Sequence, residues 1–91
     1  MTTTTRVIRR GNAVLIRTVT HYWVGRIVAI YRDLIVLSDA SWVAATRRYG
    51  ETLTTGQFDE VERIPNGRAE VARGAIVDAV DWTHTLPVET R

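Results

Sequence analysis

Aromatic side chains are concentrated between positions 21 and 49 of this chain, and four of its arginines lie among them. Aromatic rings stack on bases, and arginine guanidinium groups bind phosphates through paired hydrogen bonds. Together these residue types predict a site for a small anionic ligand such as a nucleotide. The candidate ligand-binding residues are His21, Tyr22, Trp23, Arg26, Arg32, Trp42, Arg47, Arg48 and Tyr49. The alternative is that the tryptophans lie in the core, where large aromatic residues are common, and the arginines lie on the surface.

Catalytic and metal-binding chemistry has fewer candidates. Asp78, Asp81 and His84 are spaced by three residues, but on a strand this spacing puts the two aspartates on opposite faces. The chain has two histidines and no cysteine, and no Ser-His-Asp pattern stands out. We therefore predict a protein that is not an enzyme, with no catalytic residues, no metal and no cofactor.

Composition indicates the class of protein. Ninety-one residues suffice for one domain with a modest core, and the absence of cysteine excludes disulfides and fits a reducing compartment. No apolar run reaches the length of a membrane span, and the first residues lack the apolar core of a signal peptide. We expect a single domain over 1–91, located in the cytoplasm, with no membrane partner.

All twelve basic residues are arginine, and their distribution is uneven. Arginine favours anion recognition, although a lysine-free chain rich in Ala, Val, Thr and Gly is also what a high-GC genome encodes. Residues 1–50 carry a formal charge of +6, and residues 51–91 carry −4. The two halves could neutralise each other within the fold, meet head to tail between subunits, or leave a basic patch for an anion.

The longest apolar stretch predicts a β-hairpin with strands at 22–31 and 34–38. Alternation puts Tyr22, Val24, Val28 and Ile30 on one face, and Trp23, Ile27, Ala29 and Tyr31 on the other, so both faces are largely apolar. The second face must be covered, and a symmetry mate is the commonest solution. We therefore expect a homo-oligomer. The alternative is that the terminal segments, 1–8 and 83–91, cover this face within one chain.

The remaining pattern predicts an all-β fold, a small antiparallel barrel or sandwich of six to seven short strands. The strands are expected at 13–18, 22–31, 34–38, 41–46, 58–64, 68–73 and 75–82. Asp39-Ala40 is predicted to form a corner, and Asn66-Gly67 a tight hairpin turn. At most one short helical turn is expected, inside 50–57. We expect residues 1–5 to be flexible and residues 83–91 to form a terminal arm.

The order of these parts resembles an uncharacterised family of small all-β domains found mainly in bacteriophages and prophages. The motifs that carry the resemblance are VLIRT at 14–18, Trp23-Val24-Gly25, Leu37-Ser38-Asp39-Ala40, Arg47-Arg48-Tyr49 before Thr52-Leu53, and Gly74-Ala75-Ile76-Val77. They extend over about residues 13 to 80. The resemblance implies a viral origin and a compact β fold, and it implies no reaction.

Three functions follow from these observations. The first is a non-enzymatic phage protein that sequesters a small anionic ligand, such as a nucleotide signal of host defence, in the host cytoplasm. The second is a structural or assembly protein of a virion, built on the two-faced apolar hairpin. The third is a nucleic-acid-binding module, which the eight acids of the second half and the net charge of only +2 disfavour.

Overall fold

Six β-strands and one short helix form the part of the chain that the computed structural model describes, residues 6–46 and 48–87. They are β1 (Ala13–Thr18), β2 (Tyr22–Ile30), β3 (Leu34–Thr46), α1 (Tyr49–Thr55), β4 (Phe58–Arg63), β5 (Ala69–Ala72) and β6 (Ile76–Asp81), with a 3₁₀ turn at Arg73–Ala75 before β6. The strands are rich in β-branched and aromatic residues, which fit a pleated surface. The predicted all-β fold is confirmed.

The strands form one antiparallel sheet in the order β4-β3-β2-β1-β6, with β5 also paired to β3. The 3₁₀ turn alone connects β5, on the edge of β3, to β6, on the edge of β1. From Ala72 to Ile76 the chain spans at most about 15 Å. The sheet therefore curls strongly enough to bring its two edges near each other, although it is not a closed barrel.

A bulge bends β3 in the middle. Gly25 of β2 stands opposite two residues of β3, Asp39 and Ala40, and Asp39 has a positive φ of 48°. A Cβ at position 25 would lie 3.1 Å from the Ser38 carbonyl oxygen and 3.2 Å from the Ala40 Cα, so the close approach requires glycine. The predicted corner at 39–40 is thus a bulge within one strand of 13 residues, not a break between two strands.

The turn at 65–67 connects two strands that do not pair with each other, so the predicted hairpin is wrong. β4 pairs with the second part of β3 and β5 with the first part, along the same edge. The Ala40 amide donates to the Gly67 carbonyl at 2.9 Å, and the Ala40 carbonyl accepts from the Ile64 amide at 3.0 Å. Gly67 supplies the positive φ, as expected, but the turn docks on the bulge of β3 instead of folding β5 back on β4.

Buried side chains lie on both faces of the sheet. One cluster consists of Val14, Ile16, Ile27, Ile35, Leu37, Ala40 and Val71, with Val7 and Ile8 of the first described segment packed against it. The other consists of Leu15, Val24, Val43, Phe58, Val61 and Trp82, against which Leu53 of α1 and Leu86 pack. Segments of the same chain therefore pack against both apolar faces, and the expected homo-oligomer stays a prediction.

The predicted alternation of side chains between the two faces is wrong for β2 beyond Ile27, because a second bulge interrupts the strand. Ile27 pairs with Leu37 and Ile30 pairs with Ile35, which leaves Val28 as the extra residue. Ile27 and Ile30 consequently face the same side of the sheet. Ile27 is fully buried, while Val28 and Ile30 are 38% and 39% exposed.

The helix and the terminal arm hold each other. α1 is longer than the predicted single turn and begins one residue earlier, and it ends at Gly56, which adopts the left-handed conformation with φ 76°. The ring of His84 lies directly against Gly56, and its Nε2 is 2.7 Å from the Leu53 carbonyl oxygen. The described part of the predicted arm, up to residue 87, therefore packs onto the domain.

Replacing Gly25 by alanine should destabilise the fold by about 1–3 kcal/mol, because the new Cβ meets backbone atoms that cannot rotate away. Gly50→Ala is the matched control. It has nothing within 4 Å of its new Cβ and lies in α1, so it should be neutral or stabilising by up to about 1 kcal/mol. Urea unfolding of both variants measures the difference, and equal midpoints would contradict the close contact.

Candidate functional site

The structure divides the predicted aromatic residues between the two faces of the sheet. Trp23 and Trp42 are cross-strand partners, and His21 lies between their rings. Tyr22 points to the opposite face, where its ring is 6.0 Å from that of Tyr49 in α1. The aromatic residues thus form two separate clusters and not one lining.

The first of these, the His21 cluster of His21, Trp23 and Trp42, is filled by its own histidine. The imidazole centroid lies 5.4 Å from the Trp23 ring and 5.1 Å from the Trp42 ring. The Thr20 hydroxyl is 2.8 Å from Nδ1, while Nε2 is buried and forms no hydrogen bond with the described residues. Burial lowers the pKa of His21, which favours the neutral ring. The two tryptophans of this cluster thus contact a histidine of the same chain.

The second cluster joins tyrosines to an ion pair. Arg17 of β1 forms a charge-assisted hydrogen bond with Asp78 of β6, and Tyr22 is the cross-strand partner of Arg17. Burial raises the pKa of Tyr49, and the negative charge of Asp78 adds to this effect. These charges compensate each other, so the cluster connects α1 to the sheet and offers no free cation.

The three predicted arginines that the structure describes do not converge. Arg26 donates from Nη1 to the Gly11 carbonyl at 2.9 Å. Arg32 is exposed in the turn between β2 and β3, and Arg48 is exposed before the first residue of α1, at the other end of β3. Arg47 lies outside the described residues.

A groove that the sequence did not indicate lies where the curled sheet stays open. It is formed by the segment 6–8, the end of β2, the 3₁₀ turn and β6, and it has a volume of about 570 Å³. Its lining residues are Arg6, Val7, Ile8, Ile30, Arg73 and Ala79. The two arginines are 67 positions apart in the sequence, so no local pattern could have joined them.

Backbone contacts hold the arginines of the groove in place. The backbone amide of Arg73 donates to the Asp33 carbonyl at 2.9 Å. The Nη1 of the Arg73 side chain donates to the Tyr31 carbonyl at 3.1 Å. The segment containing Arg6 is fixed by the side chain of Asn12, whose Nδ2 donates to the Val7 carbonyl at 2.8 Å. Within residues 6–46 and 48–87, neither Arg6 nor Arg73 forms an ion pair. Both positive charges are therefore available to a ligand.

A second groove is less suited to an anion. It has a volume of about 380 Å³ and is lined by Arg26, Asp39, Arg63, His84, Thr85, Leu86 and Pro87. Arg63 lies 3.6 Å from the Asp39 carboxylate and donates to the Pro87 carbonyl at 3.3 Å. Its charge is already compensated, and it anchors the terminal arm to β4.

The three residues considered for a metal have different partners. Asp78 binds Arg17, Asp81 accepts from the side-chain amide (Nδ2) of Asn12 at 2.7 Å, and His84 contacts α1. In the part of the chain that the structure describes, no group of three histidine or acidic side chains comes together to hold a metal ion. Nor is any helix in that part long and apolar enough to cross a membrane.

These features define a small antiparallel β domain with a groove lined by Arg6 and Arg73, neither of which forms an ion pair with the described residues. Comparison with protein-family models, with curated proteins and with solved structures finds no match to the chain. The resemblance to phage domains therefore stays a prediction from sequence motifs.

Stability should depend on pH through His21. Because burial lowers its pKa below the unfolded value of 6.5, the contribution of the neutral ring is complete above that pH and is lost as the pH falls through 6.5 towards the lowered pKa. Urea midpoints at about pH 8 and about pH 5.5 measure this loss. His21→Phe keeps a ring between the tryptophans without a titrating group, so its midpoint should fall less. An equal fall in both proteins would contradict the assignment.

Proposed function

We propose that this chain is a non-enzymatic binding protein that holds a small organic anion in the groove between Arg6 and Arg73. The observation that carries the proposal is the pairing of two uncompensated guanidinium groups with an apolar floor. Both arginines are exposed, and none of the described residues that line the groove carries a carboxylate. An anion in the groove would therefore pair with two guanidinium groups that have no charged partner among the described residues.

The chemistry of the groove fits such a ligand. A guanidinium group donates up to five hydrogen bonds in a planar fork, which matches carboxylate and phosphate oxygens. Arg73 uses one donor on the Tyr31 carbonyl, and this contact orients the rest of the fork. Ligand sites typically combine apolar walls with a few polar groups, in volumes of about 300–1,000 Å³. The groove, at about 570 Å³, lies within this range.

The proposed ligand is an anion, as the sequence analysis predicted, but the proposed binding site is a different one. Of the nine residues predicted from sequence, none of the eight that the structure describes lines this groove. Sequestration of a nucleotide signal of host defence stays a prediction from the sequence, because the phage resemblance implies a viral origin and a compact β fold and no activity. Nucleic acid is a poorer ligand, since the second half of the chain contains eight acidic residues, which repel phosphates.

Binding should be lost when either groove arginine is removed. A bound anion present at about 100 times its Kd stabilises the fold by about 2.7 kcal/mol, which thermal unfolding detects readily. With a panel of alkyl carboxylates, nucleotides and inorganic phosphate, the wild-type protein should shift upward with at least one anion. Arg6→Ala and Arg73→Ala should abolish that shift.

Arg68→Ala is the matched control for this test. Arg68 is exposed and lies outside the groove, so its removal should leave the shift unchanged. If no anion shifts the wild type, or if Arg68→Ala weakens the shift as much as Arg6→Ala does, the proposed site is wrong.

Self-association, as in a virion assembly protein, is the second candidate. It is favoured by three adjacent exposed apolar residues at the end of the central hairpin: Val28, Ile30 and Tyr31, the last 57% exposed. Such side chains close together on a small domain favour a protein contact.

An oligomer that uses this hairpin end should dissociate when a charge is placed in the contact, because an unpaired charge would then be buried. Light scattering should give wild-type masses above the 10.3 kDa of one chain, and Val28→Arg should return the mass to that of a monomer. Val19→Arg, at an 83% exposed position in the turn between β1 and β2, should have no effect. A wild-type monomer that is unchanged on dilution would contradict this candidate.

A further inference from the structure

We infer that the ligand of the groove is a single-chain aliphatic anion, with a carboxylate or phosphate head, and not a nucleotide. This inference rests on the proposed function and names the ligand class of the same site. It depends on the chemistry of the floor, on the location of the aromatic rings and on the position of the two arginines.

Apart from Arg6 and Arg73, the residues that line the groove have aliphatic side chains, and we refer to these residues as its floor. They are Val7, Ile8, Ile30 and Ala79, three of which also pack against the buried cluster around Ile27. The apolar surface of the groove is therefore continuous with the core of the domain. An alkyl chain laid on this surface would remove apolar area from water on both sides, which is the main favourable term for such a ligand.

The rings that a base would need are elsewhere. Base binding relies mostly on stacking against aromatic rings, and none of the lining residues is aromatic. The two guanidinium groups of the groove are assigned to the anionic head. Trp23 and Trp42 contact His21, and Tyr22 contacts Tyr49 on the opposite side of the sheet. Tyr31 is the nearest aromatic residue in sequence, and its known contact with the groove is through its carbonyl oxygen, which accepts from Arg73.

The inferred role of the two arginines is to bind one anionic head group, a carboxylate or a phosphate. They belong to two separate elements, the segment 6–8 and the 3₁₀ turn, and both line the same groove. A carboxylate with two oxygens and a phosphate with three can each accept from a guanidinium fork. Alkyl carboxylates and alkyl phosphates thus share the required chemistry, and the experiment must separate them.

Calorimetric titration of the full chain with hexanoate, octanoate and decanoate tests this inference. Each added methylene that reaches the floor should tighten binding about fourfold, until the groove is full. Octyl phosphate reports whether the phosphate head is preferred, and octyltrimethylammonium, which carries the opposite charge, should not bind. Adenosine monophosphate should bind no more tightly than inorganic phosphate.

Two substitutions test separately how the anionic head and the alkyl chain of the ligand contribute to binding. Arg73→Ala should weaken all three carboxylates by a similar factor. Ile30→Ser, at a partly exposed position of the floor, should instead reduce the gain per methylene. Val77→Ser is its control, because Val77 is 56% exposed and lies outside the groove. It should leave the series unchanged.

The outcomes distinguish this inference from the proposed function. If adenosine monophosphate binds more tightly than octanoate and Arg73→Ala removes its binding, the groove binds anions but the aliphatic class is wrong. Carboxylate affinities that do not change with chain length, or that Ile30→Ser and Val77→Ser reduce equally, also overturn it. If no anion binds the wild-type protein, the proposed function fails as well.

Discussion

The close contact between Gly25 and the bulge at Asp39-Ala40 is the constraint on which the rest of the fold depends. It bends β3 so that one strand pairs with β5 along its first part and with β4 along its second part. The backbone groups of Ala40 are then satisfied by the segment 64–67, which docks on the bulge. A side chain at position 25 would separate β2 from β3 where both apolar faces are built.

The curl of the sheet also decides which charges are left for function. It places β6 beside β1, so that Arg17 meets Asp78, and Arg9 lies 3.8 Å from Asp81. Part of the basic first half is thus neutralised by the acidic second half within one chain. Arg6 and Arg73 lie beyond these pairs, at the opening of the curl, and the proposed anion site follows from their position.

Local chemistry allowed most elements to be predicted from the sequence. Alternating β-branched residues located β1, β2 and β6, Asn66-Gly67 located a turn, and the polar stretch after Thr46 located the helix. The apolar character of both strand faces correctly indicated two covered faces. The partners of these elements were less predictable, because a one-residue bulge such as that at Val28 reverses the faces of all residues beyond it.

The sequence by itself determined the all-β class, the approximate strand segments except the continuity of β3, and the two apolar strand faces, since these depend on periodicity and on residues that are near neighbours. Only the tertiary structure decided the groove, because Arg6, Ile30, Arg73 and Ala79 are brought together by the curl of the sheet and not by spacing. It likewise decided the partners of the predicted aromatic residues: His21 packs against Trp23 and Trp42, while Tyr22, on the opposite face as strand alternation predicts, packs against Tyr49 of α1. Strand geometry forces neighbouring residues apart, while the closing of the sheet brings distant ones together.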